Sequence, residues 1–430
     1  MKRVLMFRRT LCIFLLLCAL FLLGAARQNK ASDPVFKQFA SIVQSLSQIS
    51  GLTQEHLIPY GRMNRTQLRR FLSKRIKASI KPREIRADEL TLKMFGLVPQ
   101  DFNLKKSTID LLTEQAAAFY DYDSKKLYLL GSVTPAEQTI ALAHELAHAL
   151  ADQHFDLDRF MNEEPSNDDE GLAHDAVVEG EASWLMIAYD LKLAGDPPAP
   201  SANMLKSALN DNGDLVGDHP VLKRSPLYIR QSLLFPYFRG ALFFDAVFQK
   251  MGKKAFAAVF TDPPVDSAQI MQPKKYFLHV APVRPRLPKL DKKGKQLAQG
   301  VLGEFDHKML IRQYLGEAEA RDLSPHLLGA VYKIVAAGKE RKPVLAYASA
   351  WDSHQHASRF FTDYKKILEG KWTKCDPTVS NGSLFAGTGG NGFFVVRLAG
   401  QVVSSVEGLP DRNEWEKLQD RVHYGGSSAK

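Results

Sequence analysis

Residues 139–151 read Thr-Ile-Ala-Leu-Ala-His-Glu-Leu-Ala-His-Ala-Leu-Ala. Nine of these thirteen are Ala, Leu or Ile, which describes a helix buried on most sides. Into it are set His144, Glu145 and His148. The i, i+4 spacing puts both imidazoles on one face, able to grip a single ion at about 2.0–2.1 Å. Without such a partner, two imidazoles in apolar surroundings would leave ring nitrogens unsatisfied, at roughly 1–3 kcal/mol each. The chemistry that fits is metal-assisted hydrolysis. Zinc lowers the pKa of bound water toward about 7 and polarises a scissile carbonyl. A carboxylate beside the metal rather than on it, Glu145, accepts the water's proton and passes it to the leaving amine.

A catalytic zinc takes three protein ligands and keeps one position open, so a third donor must come from elsewhere. Val177-Val178-Glu179-Gly180-Glu181-Ala182 offers two glutamates on a downstream helix, and the small Gly180 and Ala182 would let that helix pack closely against the histidine helix. By chemistry alone either Glu179 or Glu181 serves. Asp175, one turn before Glu179, and Asp152, one turn after His148, can orient ligands or remain solvated surface acids.

Over residues 117–184 the chain resembles zinc peptidases of the gluzincin group, such as the thermolysin-like and aminopeptidase-N-like families. These take a glutamate from a helix downstream of H-E-x-x-H, and the latter present it as E-G-x-A. The resemblance implies one catalytic zinc ion held by His144, His148 and Glu179, with Glu145 as general base. It also implies a downstream Tyr or His that stabilises the oxyanion, for which Tyr276 and Tyr237 are the candidates, each equally readable as a packing tyrosine. By the same analogy a substrate backbone pairs with the hairpin edge at Ala117–Tyr122. The thirty residues between His148 and Glu179 exceed the gap in aminopeptidase-N-like enzymes. The chain is also similar to uncharacterised exported bacterial H-E-x-x-H proteins, sharing His144-Glu145-Leu146 through Asp152-Gln153-His154-Phe155, Val178-Glu179-Gly180, Phe235-Pro236-Tyr237 and Pro263-Pro264 through Gln269 and Tyr276. Gln272 stands where those proteins carry a histidine, which leaves it without a catalytic role.

The elements that position these residues can be read from patterning. Ala117–Tyr122 and Lys126–Leu130, separated by Asp123, Ser124 and Lys125, read as a β-hairpin. Thr134, Pro135 and Glu137 form a capping box with proline at the first helical position, starting a helix that runs to about His154. A second helix spans roughly Gly171–Leu193, Gly195–Ser225 is rich in loop formers, and Leu233–Phe260 is again helical. Residues 34–112 read as a helical N-terminal region and 113–281 as the zincin-like core. Residues 282–295, with three prolines, form a boundary before an α+β region over 296–430. There, His354 and His356 read as an incidental surface pair and Gly387–Gly392 as a turn.

The extreme N-terminus reads as a signal peptide over residues 1–26. Lys2, Arg3, Arg8 and Arg9 precede an uncharged run of about 16 residues, short of the roughly 20 that span a bilayer, and Gly24, Ala25 and Ala26 suit cleavage. Export to the periplasm or exterior is expected, with an uncleaved N-terminal membrane anchor facing outside the cytoplasm as the alternative. The three cysteines, Cys12, Cys18 and Cys375, define no disulfide framework.

Composition agrees with an ordinary globular protein: 430 residues, 45 % hydrophobic, 24 % charged. The formal charge of +10 is local. The signal peptide carries +4 and residues 62–86 carry +9, so the rest sums to −3. Residues 152–190 hold twelve acids and one arginine, which excludes an anionic polymer from the site. The basic run reads as a solvated helical face or a contact with an anionic surface. The expectation is an α+β protein with a mainly helical zincin-like core, acting as an exported zinc metallopeptidase on a peptide or protein, with no nucleic-acid partner. The alternatives are an inactive zincin-like binding or scaffold protein and a zinc hydrolase of a non-peptide amide.

Overall fold

The computed structural model describes residues 38–130, 135–162, 165–208, 219–289, 294–338 and 340–420. Residues 1–26, read as a signal peptide, and Thr134 of the expected capping box lie outside them. The protein is mixed α+β and divides into two compact units. One takes the described residues up to Ile85 together with Asn103–His279; the other takes Arg86–Phe102 with Val280 onward. The helical N-terminal region is therefore not a unit of its own, since residues within it belong to both.

The first unit is mostly helical. Its elements are α1 (Phe39–Ser50), β1 (Tyr60–Met63), α2 (Arg65–Ser79), α3 (Leu104–Gln115), β2 (Ala118–Asp121), β3 (Lys126–Leu130), α4 (Pro135–Phe155), α5 (Leu157–Asn162), α6 (Asp168–Ala194) and α7 (Leu227–Met251), followed by short helices to Phe277. The expected loop over 195–225 contains two short helices, Ala202–Ala208 and Pro220–Arg224. The hairpin extends into a three-stranded sheet of order β1-β3-β2, with β1 parallel to β3. Strand β2 is thus an edge strand. Asp152 ties the hairpin to α4: its carboxylate accepts the Tyr120 hydroxyl at 2.8 Å, Lys125 Nζ at 2.8 Å and the Leu157 N–H at 2.9 Å. It is buried, so the reading of a solvated acid does not hold; two of its bonds serve the hairpin and the third the start of α5.

Three of the ten basic residues in the run are spent internally. Arg65 donates to the carbonyls of Thr113 and Glu114, Arg69 pairs with Asp110 at 2.7 Å, and Arg75 pairs with Asp121 and Asp123 of the hairpin. Asn64 starts α2 with a capping box, its side chain accepting the Gln67 N–H at 2.8 Å while Gln67 accepts the Asn64 N–H at 2.8 Å.

The second unit is built on a seven-stranded antiparallel sheet, β4 (Lys295–Leu302), β5 (Leu327–Ala337), β6 (Lys342–Trp351), β7 (Asp376–Ser380), β8 (Leu384–Gly389), β9 (Gly392–Ala399) and β10 (Val402–Leu409), in the order β4-β5-β6-β10-β9-β8-β7. Helices α8 (Glu304–Leu315), α9 (His354–Lys371) and α10 (Arg412–Asp420) accompany it. The glycine-rich stretch read as a turn is half strand: β8 runs through Gly389, and a Cβ on Gly387 would lie 2.2 Å from the Asp376 carbonyl oxygen of β7. The chain reverses only at Gly390 and Asn391, before Gly392 at φ 131°.

Candidate metal centre

Helix α6 starts at Asn167, whose side chain accepts the N–H groups of Asp169 and Glu170, and it stops at left-handed Gly195. Between these caps it is covered on nearly all sides, with buried residues running unbroken from Gly171 to Met186. Its closest neighbour is α7. A Cβ on Gly180 would lie 2.1 Å from the Gly240 carbonyl carbon, and one on Gly240 would lie 2.1 Å from the Ala176 carbonyl oxygen. Gly180 was expected to admit the histidine helix; it admits α7 instead. That crossing carries Tyr237 to the site, where its hydroxyl donates to Glu179 and its ring stacks on His144 at 5.8 Å between centroids.

Three donor atoms converge between α4 and α6. His144 Nε2 lies 3.0 Å from His148 Nε2 and 3.1 Å from Glu179 Oε2, and His148 Nε2 lies 3.5 Å from the same oxygen. A tetrahedral ion bonded at about 2.0–2.1 Å holds its ligands roughly 3.3 Å apart, so the three separations match the edges of such a polyhedron. All three residues are buried, with side-chain exposures of 0–2 %.

The electrostatics favour the same occupant. Burial lowers His144 to about 3 and holds His148 well below the ordinary imidazole value, so both are neutral and ready to coordinate. Burial raises Glu145 well above the usual carboxylate range, against the opposing Tyr120 N–H. Glu179 is raised well above that range too, first by burial, then by the charges of Glu145 and Asp175, with the Tyr237 bond opposing. Among the described residues none of Glu145, Glu179 and Glu181 is paired with a lysine or arginine. Glu179 Oε1, Glu145 Oε1 and His148 Nδ1 are buried without a hydrogen-bond partner. Buried acids lacking a cation beside neutral imidazoles make a group that could hold a metal ion.

The other sequence candidates separate clearly. Glu181 is fully buried on the same helix, but neither of its oxygens has a partner, and it stands outside the converging group. Burial pushes it up to about 8. Asp175 is buried and its charge acts on Glu179. Tyr276 donates to the Asp262 carbonyl at 2.9 Å and meets Phe243 edge to face, so its hydroxyl is committed to packing; the tyrosine bonded to the His-His-Glu group is Tyr237. Gln272 sits at the junction of the short helices Ser267–Met271 and Pro273–Phe277. Glu145 Oε2 accepts the Tyr120 N–H of β2 at 2.7 Å, a contact that the hairpin and helix patterns did not reveal. No family model matches the chain, and no significant match is found among curated proteins or solved structures.

Proposed function

We propose that this protein is a zinc-dependent peptidase of gluzincin type, with His144, His148 and Glu179 as metal ligands and Glu145 as general base. The observation that carries the reading is the approach of three donor atoms to 3.0–3.5 Å on two helices, with an uncommitted oxygen of Glu145 on the residue next to His144. Two imidazoles and a carboxylate form a donor set that suits zinc. Bound there, zinc would supply the charge that lowers the pKa of water and polarises a carbonyl.

The chain's own groups divide the remaining work. The Tyr120 N–H fixes Oε2 of Glu145 and leaves Oε1 to take a proton from water and return it to the leaving amine. Tyr237 holds Glu179 in place through its hydroxyl. Strand β2 is buried along its length and its Tyr120 N–H is bonded to Glu145, so a peptide would pair along that edge only after the strand is uncovered.

One observation favours a second reading. The four central residues are at most 1 % exposed, as suits a structural ion in a zincin-like binding protein. Glu145→Gln separates the two. As a peptidase the variant retains zinc but loses hydrolysis by about a thousandfold or more, whereas unchanged cleavage rules the mechanism out. Screening the parent chain against a peptide library and a peptidoglycan digest side by side assigns the amide cleaved, and export is read from the N-terminus of the mature chain.

A further inference from the structure

Helix α2 carries six cations and no acid over Arg65–Ser79. Leu68, Leu72 and Ile76 make its buried stripe, and Phe71 packs on Phe119 of the three-stranded sheet with ring centroids 5.3 Å apart. Arg65, Arg69 and Arg75 lie beside that stripe and have partners within the protein. Arg70, Lys74 and Lys77 do not. Spacing of four and three sets them in one row on the opposite side of the helix, where all three are exposed. None of the three pairs with an acid among the described residues.

An apolar side chain stands at the same end of the sheet. Strand β1 begins at the hairpin turn, since the Leu127 N–H donates to the Pro59 carbonyl at 2.9 Å and Tyr60 pairs with Leu127. Helix α2 starts past the far end of β1 and runs back, so that Arg75 reaches Asp121 and Asp123 at that turn. Lys74 and Lys77 flank Arg75 there. Leu57, two residues before Pro59, is 90 % exposed, the highest value for a large apolar side chain among the described residues.

We propose that this end of the first unit docks on an anionic lipid surface, with Arg70, Lys74 and Lys77 over the headgroups and Leu57 inserted among them. Charge sets the sign of the partner: cations at i and i+4 with no acid between them repel, and negative headgroups relieve that repulsion. Shape sets its class. The row lies on the convex outer side of a helix, which meets a plane of headgroups over its whole length, and Leu57 supplies an apolar group that a bilayer accepts and a soluble polyanion does not. Chain length agrees. Residues 27–38 join the apolar run ending at Ala26 to Phe39, whose ring touches Tyr60 at 5.4 Å between centroids. Fully extended, such a segment reaches about 40 Å, enough for the run, where it is retained, to enter the same bilayer.

The inference is independent of the peptidase reading, and co-sedimentation of the full chain with vesicles tests it, since the apolar run is common to parent and variants. The parent is expected to bind phosphatidylcholine vesicles containing about one-quarter phosphatidylglycerol at least tenfold more tightly than phosphatidylcholine alone. Arg70→Glu/Lys74→Glu/Lys77→Glu should bind the anionic vesicles about a hundredfold more weakly, with its circular dichroism spectrum unchanged. Leu57→Ser should weaken binding to both kinds of vesicle about fivefold. Equal binding by parent and triple variant overturns the proposal. So does a parent that ignores the vesicles but binds soluble dextran sulfate, which would make the partner a polymer. Arg70→Gln/Lys74→Gln/Lys77→Gln serves should the charge reversal misfold; binding about tenfold weaker is expected, and unchanged affinity again overturns the proposal.

Discussion

Two clusters in this chain bring two imidazoles together with one carboxylate, and they differ in what surrounds them. The His144, His148 and Glu179 group lies between helices, sealed from solvent, with neighbouring buried carboxylates that lack a cation. The His326, Asp352 and His356 group lies at the ends of strands and the start of a helix, partly open to water. The same donor types therefore reach opposite energetic situations. In the buried group an ion would relieve the cost of unpaired acids; at the surface water already meets most of that need.

The comparison breaks first if the helix crossing behind the buried group is disturbed. Gly180→Val places a branched side chain against the Gly240 backbone, which cannot yield, so a loss of about 3 kcal/mol or more is expected in chemical denaturation. A loss under about 0.5 kcal/mol would show that the crossing does not position Glu179.

The pH dependence of the metal-free chain sharpens the contrast. Burial raises Glu181 to about 8, above the ordinary 4.5 of a glutamate, so its contribution is fully present below 4.5 and is lost as pH rises toward 8. His144 has the opposite sign: its folded value of about 3 lies below 6.5, so stability is lost as pH falls from 6.5 toward 3. Thermal melts of the chelated protein should peak in mild acid. Glu181→Gln should flatten the alkaline limb, where the slope is up to about 1.4 kcal/mol per pH unit for one group. A flat profile in the parent would remove the case for uncompensated buried acids.

Smaller effects concern exchange and orientation. Release from the sealed group requires local opening, so a chelator should remove its ion over minutes or longer rather than in milliseconds, as followed by stopped-flow absorbance. Tyr237→Phe removes the hydroxyl bonded to Glu179 and should weaken the buried site about tenfold to a hundredfold, whereas Tyr276→Phe should leave its metal affinity unchanged.

Sequence patterning exposes the buried group because its ligands lie on long helices: i, i+4 spacing fixes His144 and His148, and Glu179 sits in a small-residue segment. Residue type could not decide that Gly180 meets Gly240, since a glycine in a helix names no partner. Nor could it place the Tyr120 N–H on Glu145, because backbone groups carry no sequence signal. Strand β4 carries little sequence signal for another reason: its residues are mostly exposed or half-buried, which erases the alternation by which strands are read. The surface cluster was hidden by topology, because His326 reaches His356 only through the pairing of β5 with β6.

Metal content of the purified chain and two variants tests the central claim most directly. The account predicts that Glu179→Ala loses the tightly held ion while Glu181→Ala keeps it. Retention of that ion by Glu179→Ala, or its loss from Glu181→Ala alone, would contradict the assignment of His144, His148 and Glu179 as the metal centre.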